Sequence, residues 1–358
     1  MDNHSMFNNI LPVWIRKAND SNDVVISSRI RLARNLKGIS FPNYADEKQL
    51  ATVNEEVLRA LRAKTNLGPL HPLQIEELSP ADRLVLVEKH LCSPQFIEQP
   101  HLRMLVVNEE QTISIMVNEE DHLRIQTITP GFSLEEALSM ANQVDDYLEQ
   151  SLEYCFDECC GYLTTCPTNV GTGIRASVML HLPALGMVDQ LKKVLPALTH
   201  IGINIRGFYG EGTESVGDIY QISNQVTLGQ SEEDLTNNLK SVCRQVIEQE
   251  RSVREALLKE SKVQLEDRLC RSYGLLSNAR IISSQEALKL LSDVKFGVDL
   301  GILSSVNSQL ITELMFLTRA SLIQQIIGKE VSPKERDVYR AKIIRERIQR
   351  KSGGEHDV

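Results

Sequence analysis

The sequence predicts an α+β fold: an antiparallel sheet backed by helices, followed by an all-helical C-terminal region. Two observations carry this. The stretch LRMLVVNEEQTISIMVNEEDHLRIQTI holds β-rich runs at 102–107, 111–117 and 123–128, broken by polar Asn-Glu-Glu turns, the pattern of an antiparallel meander. From Ser231 to about residue 350 the apolar residues recur at helical spacing, with polar breaks near GLLSN and GKEVSP. At 358 residues, 42% hydrophobic and 24% charged, the chain is globular in composition and long enough for about two domains.

The elements follow in order. The opening MDNHSMFNNILPVWIRK lacks a basic n-region ahead of an apolar core, so no secretory leader is expected. No apolar run approaches the ~20 residues of a membrane helix, and a cytoplasmic protein without membrane contact is the expectation. In VVISSRIRLARNLKG a β-branched run leads into alternating charge, which predicts a strand with Arg29 and Arg31 on one face. After the meander, Ser133 and Glu136 predict a capping box. It would open a helix with Leu134, Leu138, Ala141, Val144, Leu148 and Leu152 on one face. A strand is predicted at 176–182, ended by Pro183. The stretch from Ser231 is long and amphipathic enough to bridge two domains, with a boundary near 255. The predicted division is a segment at 1–22, a body at 23–254, a helical domain at 255–350 and a frayed tail at 351–358.

Charge and cysteines narrow the class. A net charge of −9 argues against direct nucleic-acid binding and suits a basic partner. Seven cysteines, an odd number, resemble no disulfide framework. Cys155, Cys159 and Cys160 cluster, but no second Cys/His pair completes a zinc site, so small buried side chains and no metal centre are expected.

The chemistry lies in arginines and loop carboxylates. Arg29 and Arg31 repel unless an anion lies between them. Arg124, Arg175 and Arg206 each stand at the edge of an apolar segment. Guanidinium groups match phosphate oxygens with paired donors, so five converging arginines suit a nucleotide triphosphate. Unrelated surface arginines would read the same way by spacing alone. CPTNVGTGIRAS looks like a glycine loop whose amides could cradle an anion, with Arg175 where a P-loop has lysine. Glu119, Glu120 and Asp121 lie in one turn after a strand and Glu211 in another, although such turns are also commonly just solvated.

SSRIRLARNLKGISFP, VNEEDHLRI, CPTNVGTGIRAS and IRGFYGEGTES resemble, in order, the signature segments of the phosphagen (guanidino) kinases. The resemblance implies a glutamine-synthetase-like catalytic domain using ATP and Mg2+. It gives Arg29, Arg31, Arg124, Arg175 and Arg206 the role of holding ATP. Glu120 and Glu211 resemble the pair that clamps the guanidinium, one of them accepting its proton, and Cys166 resembles the thiolate beside it. The nucleotide-contacting segments it implies hold Ser27, Ser28, Arg29, Ile30 and Arg31. They also hold Arg175, Ala176, Ser177, Val178 and Met179, then Arg206, Gly207, Phe208, Tyr209, Gly210 and Glu211. His90 is similar to a nucleotide-contacting histidine. Met179 departs from the histidine usual after RASV.

Two larger departures point to one branch. The helical lid that precedes the first motif in small-guanidine kinases is missing, and a helical region follows the body instead. Both are similar to the bacterial protein-arginine kinases, in which an open site admits an arginine within a polypeptide. Arg336, Asp337, Val338, Tyr339, Arg340 and Ala341 resemble that branch's allosteric phosphoarginine motif. Arg336 and Arg340, one helical turn apart, share a face, although an ordinary charged helix with Asp337 pairing Arg340 has the same pattern. The resemblance further implies a homodimer acting on arginine-bearing proteins, with a heat-shock repressor, a Clp-type unfoldase and an activator protein as partners. A small-molecule guanidine kinase and a non-catalytic adaptor are the alternative readings.

Overall fold

The computed structural model describes residues 9–17, 23–63, 66–190, 202–207 and 215–352. Ten strands are described. Eight form one sheet: β1 (Val25–Arg34), β2 (Leu70–Gln74), β3 (Met104–Asn108), β4 (Ile113–Val117), β5 (Leu123–Pro130), β8 (Ile174–His181), β9 (Ile203–Gly207) and β10 (Ile219–Asn224), in the order β2-β3-β4-β5-β1-β8-β10-β9. The predicted meander is β3-β4-β5, antiparallel throughout. A separate hairpin pairs β6 (Phe156–Asp157) with β7 (Gly161–Tyr162).

The described chain forms two compact units. The first holds residues up to Trp14, Ser27–Val178 and Ser223–Ser241; the second holds Ile15–Ile26, Met179–Ile222 and Val242 onward.

In the first unit, the helix α1 (Leu134–Glu149) buries Leu134, Ala137, Ala141, Val144 and Leu148. Each of the leucines and the valine removed from water contributes up to about 1.5–3 kcal/mol, which anchors the helix on the sheet. Thr127 of β5 donates its hydroxyl to the Ala137 carbonyl at 2.7 Å, so the even-numbered face of β1, which pairs in register with it, looks toward α1. The predicted capping box is not made. Ser133 donates its hydroxyl to the Pro130 carbonyl at 3.2 Å and its amide to Ser28 Oγ at 3.0 Å, and its side chain caps no helix amide.

Arg34 is a structural arginine. It is 1% exposed, meets Asp145 at 2.6 Å and lies 3.6 Å from the ring centroid of Tyr162. Burying such a cation is tolerable only because carboxylate, carbonyls and ring together replace its water.

The second unit contains α2 (Glu232–Glu260) from Val242 onward, then α3 (Lys262–Asn278), α4 (Ser284–Asp299), α5 (Ser308–Leu317), α6 (Ala320–Ile327) and α7 (Pro333–Ser352). The helix α2 runs unbroken through residue 255. Glu250, fully buried, accepts the amides of Ala184 and Leu185 at 3.1 and 2.9 Å and the Arg254 Nε at 2.7 Å. No single described helix is long and apolar enough to cross a membrane.

All seven cysteines are free thiols. Cys159 and Cys160 are exposed in the β6–β7 turn, not buried as expected, because Asp157 Oδ1 accepts both of their amides at 2.9 Å and fixes the turn at the surface.

Candidate active site

Strand β1 sets the site because its alternation puts Arg29 and Arg31 on one face and sends Arg34 to the other. Of its ten residues, Arg29 and Arg31 alone are not fully buried. The register puts Ala33 opposite Arg124 and Arg31 opposite Gln126, so Arg124 projects from the same face, diagonal to Arg31. On the other side, Arg29 Nε donates to Ser177 Oγ of β8 at 3.3 Å. Two residues earlier on β8, Arg175 donates from Nη2 to Ser223 Oγ of β10 at 3.3 Å.

The four charges act on one another. Arg29 is pushed down to about 10, first by burial and then by the positive charges of Arg175 and Arg124. Burial, Arg29, Arg124 and Arg175 hold Arg31 well below the usual arginine range, with Glu119 opposing. The Arg31 Nε is buried without a hydrogen-bond partner among the described residues. A partly buried cluster of like charges with an unused donor is built for an anion, which would cancel the repulsion and supply acceptors. Arg206 ends β9 in the second unit and is exposed.

Carboxylates border this face at the β4–β5 turn. The fork of Arg124 reaches both glutamates: Nη1 meets buried Glu119 at 2.6 Å and Nη2 meets half-buried Glu120 at 2.8 Å. Glu119 also accepts the Ser93 hydroxyl. Burial raises the Glu120 carboxyl above its ordinary range, outweighing the pull of Arg124. A partly accessible carboxylate tuned upward is suited to taking a proton.

Cys166 is held by the same turn. Buried Asp121 accepts, on Oδ1, the Asn35 side-chain amide and the Thr165 backbone amide, both at 2.7 Å. Thr165 returns its hydroxyl to the Glu120 carbonyl at 2.7 Å. Cys166 follows directly, partly exposed, its Sγ 3.1 Å from Thr168 Oγ1. Next in the turn, His122 accepts the Leu36 amide on Nδ1 at 3.0 Å and donates from Nε2 to the Ser40 carbonyl at 2.9 Å, the pattern of a neutral ring.

The glycine loop differs from its reading as an anion cradle. Gly173 has φ +69°, and a Cβ there would stand 2.6 Å from the Ala33 carbonyl oxygen and 2.7 Å from Arg34 Nη1. Its carbonyl accepts the Ala33 amide at 2.9 Å, and Gly171 exchanges backbone hydrogen bonds with Tyr162. These glycines let two backbones approach rather than cradle an anion.

The other expected residues separate by face. Ser27 shares the arginine face by alternation. Ser28 does not: its hydroxyl donates to the Gly131 carbonyl at 2.8 Å, toward α1. Ile30, Ala176 and Val178 are fully buried, and they alternate to the face away from the arginines; Met179 is 6% exposed. The His90 carbonyl accepts Gln126 Nε2 at 2.8 Å, which brings His90 to the register position beside Arg31. Gly207 ends β9, whereas Phe208, Tyr209, Gly210 and Glu211 lie outside the described residues.

In α7, Arg340 is 2% exposed and donates to the carbonyls of Thr318 at 2.8 Å and Ile282 at 2.9 Å and to Asp337. Arg336, half-buried, donates to Gln324 Oε1 at 3.1 Å. Val338 is exposed, Tyr339 partly so, and Ala341 fully buried.

Ser93, Asn35, Thr165 and Ser223 are members of the site that sequence reasoning missed. Each lies far along the chain from the residue it supports, so no local pattern marks it. Among the described residues no three His, Cys, Asp or Glu side chains are grouped to hold a metal ion.

This arrangement has close relatives. The profile of the ATP:guanido phosphotransferase C-terminal catalytic domain matches residues 52–253. The chain is 48% identical over 351 residues to the protein-arginine kinase of Geobacillus sp. (strain WCH70), covering 97% of each. It belongs to the protein-arginine kinase family. The family's McsB C-terminal domain profile matches residues 262–357. The protein-arginine kinase of Bacillus subtilis (strain 168) is 48% identical over 346 residues, 96% of this chain and 95% of that one. Among solved structures, lombricine kinase is similar with a TM-score of 0.58 at 25% identity, over 69% of this chain and 72% of that one. The antiparallel sheet is therefore that of a phosphagen kinase catalytic domain.

Proposed function

We propose that this protein transfers the γ-phosphoryl group of ATP to arginine side chains of proteins. The observation that carries it is the convergence of Arg29, Arg31, Arg124 and Arg175 on one sheet face, bordered by Glu120 and by the loop of Cys166. Loose phosphoryl transfer needs positioning and charge neutralisation more than covalent help, and four fixed guanidinium groups supply both. The resemblance gives Arg206 the same role. Mg2+ would come with the nucleotide's own phosphates, its usual mode, and add neutralisation there.

Glu120 takes the proton from the attacking guanidinium nitrogen. An ordinary arginine keeps its proton near neutrality, so a carboxylate must take it as transfer proceeds. Glu211 shares the clamp, and Cys166 steers the same nitrogen electrostatically. The test is acid-labile phosphate on arginine, read by phosphorus NMR after incubation with ATP and a basic protein. The expected result is phosphoarginine with the native chain and none with Glu120→Gln.

The motif from Arg336 to Ala341 serves as an allosteric phosphoarginine site, with Arg336 as the accessible donor and Arg340 fixing its seat. The wider setting rests on the resemblance: a cytoplasmic homodimer that marks proteins for a Clp-type unfoldase, silences a heat-shock repressor and answers to an activator protein. Co-purification with such partners, dependent on Glu120, tests it.

A further inference from the structure

The β6–β7 hairpin builds an apolar surface beside the Cys166 loop that the phosphoryl-transfer reading leaves unused. Phe156 is 58% exposed and stacks edge-on against Tyr162, with ring centroids 5.2 Å apart. Two grooves of about 550 and 330 Å3 share these two rings. The smaller is walled on its far side by Thr227 and by Leu228, which is 54% exposed. Thr227 donates its hydroxyl to the carbonyls of Thr168 at 3.1 Å and Val170 at 2.6 Å, so this wall is bonded directly to the loop that begins at Cys166. Charge selects the occupant. The lining of the two grooves includes Glu149, Glu153 and Glu232 and no lysine or arginine; Lys37 pairs with Glu153 and Arg34 lies 3.9 Å from Glu232, so the negative charge rests mainly on Glu149.

We propose that this surface docks the polypeptide flanking the target arginine: an extended basic segment with an apolar side chain seated between Phe156 and Leu228. The proposal rests on the kinase reading and deepens it. Phe156 exposed on Tyr162 in a groove is a costly feature unless something covers it, and an apolar wall bonded to the catalytic loop, with Glu149 in the adjoining groove, fits an unfolded, arginine-rich chain. A folded surface would seldom offer both an extended backbone and an apolar anchor, so unfolded stretches are the preferred class.

The test uses the full chain carrying Phe156→Ser with Leu228→Ser, and separately Glu149→Lys. Its probes are a fluorescent peptide with one arginine flanked by leucine and lysines, and N-acetylarginine amide as a substrate without flanks. In the double variant, the KM for the peptide relative to that for the amide should rise by about tenfold, the scale of losing one apolar anchor. The Glu149→Lys variant should weaken the basic peptide and favour one with glutamates in place of the lysines. An unchanged ratio in the double variant, or a change only in self-association by sedimentation, would overturn the proposal. If the native chain phosphorylates neither substrate, the kinase reading fails, and polarisation binding of the peptide without ATP still decides the groove: native binding lost in the double variant supports it, equal binding refutes it.

Discussion

Asp121 accepts the backbone amide of Thr165, the residue before Cys166, at 2.7 Å. The turn bearing Glu120 and the loop bearing Cys166 are therefore tied together, although this bond spans 44 residues of sequence. Asp121→Ala should lower kcat by about tenfold or more while nucleotide binding persists, because positioning is lost and the arginine face is not. Unfolding should show a loss of about 1–3 kcal/mol from the unsatisfied Asn35 and Thr165 donors. Steady-state kinetics, nucleotide titration and urea unfolding check the three parts.

Removing a cation should act in opposite directions on stability and on binding. Arg31→Met keeps most of the side-chain volume and relieves repulsion among four like charges, so the ligand-free chain should gain about 1 kcal/mol, or roughly 2 °C in Tm. ATP affinity should fall, and the Tm increase on adding ATP should shrink. Thermal scans with and without nucleotide read both.

Glu120→Gln should reduce kcat by about a hundredfold to ten-thousandfold, the usual range for a general base. In the native chain the upward-shifted carboxyl must be ionised to act. The rate should therefore fall with decreasing pH along a limb lying above the ordinary glutamate range, and the residual rate of Glu120→Gln should lack that limb.

Stability should also depend on His122. Burial depresses its pKa from 6.5, so the folded state holds the ring neutral while the unfolded chain takes a proton first. Stability from this residue is thus present above about pH 6.5 and lost as pH falls below it. Urea midpoints from pH 8 to pH 5 should decline less steeply in His122→Gln than in the native chain.

Arg340→Ala should unfold the helical region at far lower denaturant, costing about 3–5 kcal/mol, because Asp337 and two buried carbonyls lose their donor. Arg336→Ala should leave stability within about 1 kcal/mol. Any loss of response to phosphoarginine is therefore to be read from Arg336→Ala, with circular dichroism as the control for both.

The sequence made the sheet legible where a single strand carries its own signal. Arg29 and Arg31 stand two residues apart, and the period of a strand alone puts them on one face. The meander likewise announced itself through its polar turns. What depended on distant neighbours did not show. Ser133 resembled a cap, but its amide and hydroxyl answer to Ser28 and Pro130. Gly173 resembled a phosphate loop, but its missing side chain makes room for Ala33 and Arg34. Asn35 gives no local sign that it supports Asp121. Cys159 and Cys160 looked like packing residues because nothing nearby in sequence says that Asp157 turns them outward.

The helix from Glu232 to Glu260 has a practical consequence for dissecting the protein. The two family profiles stop and start within it and just after it, at residues 253 and 262, which invites cutting the chain there. Yet Leu265, Leu269 and Phe296 share one buried cluster with Ala184, and Val253 and Leu257 pack against it. A fragment beginning at residue 262 would leave that face bare, prone to aggregate or to bind detergent, and Glu250 would be lost to the other piece. The portable unit should instead carry the whole helix together with Pro183–Met187, so modularity seen along the sequence gives a poor guide to where this protein can be divided.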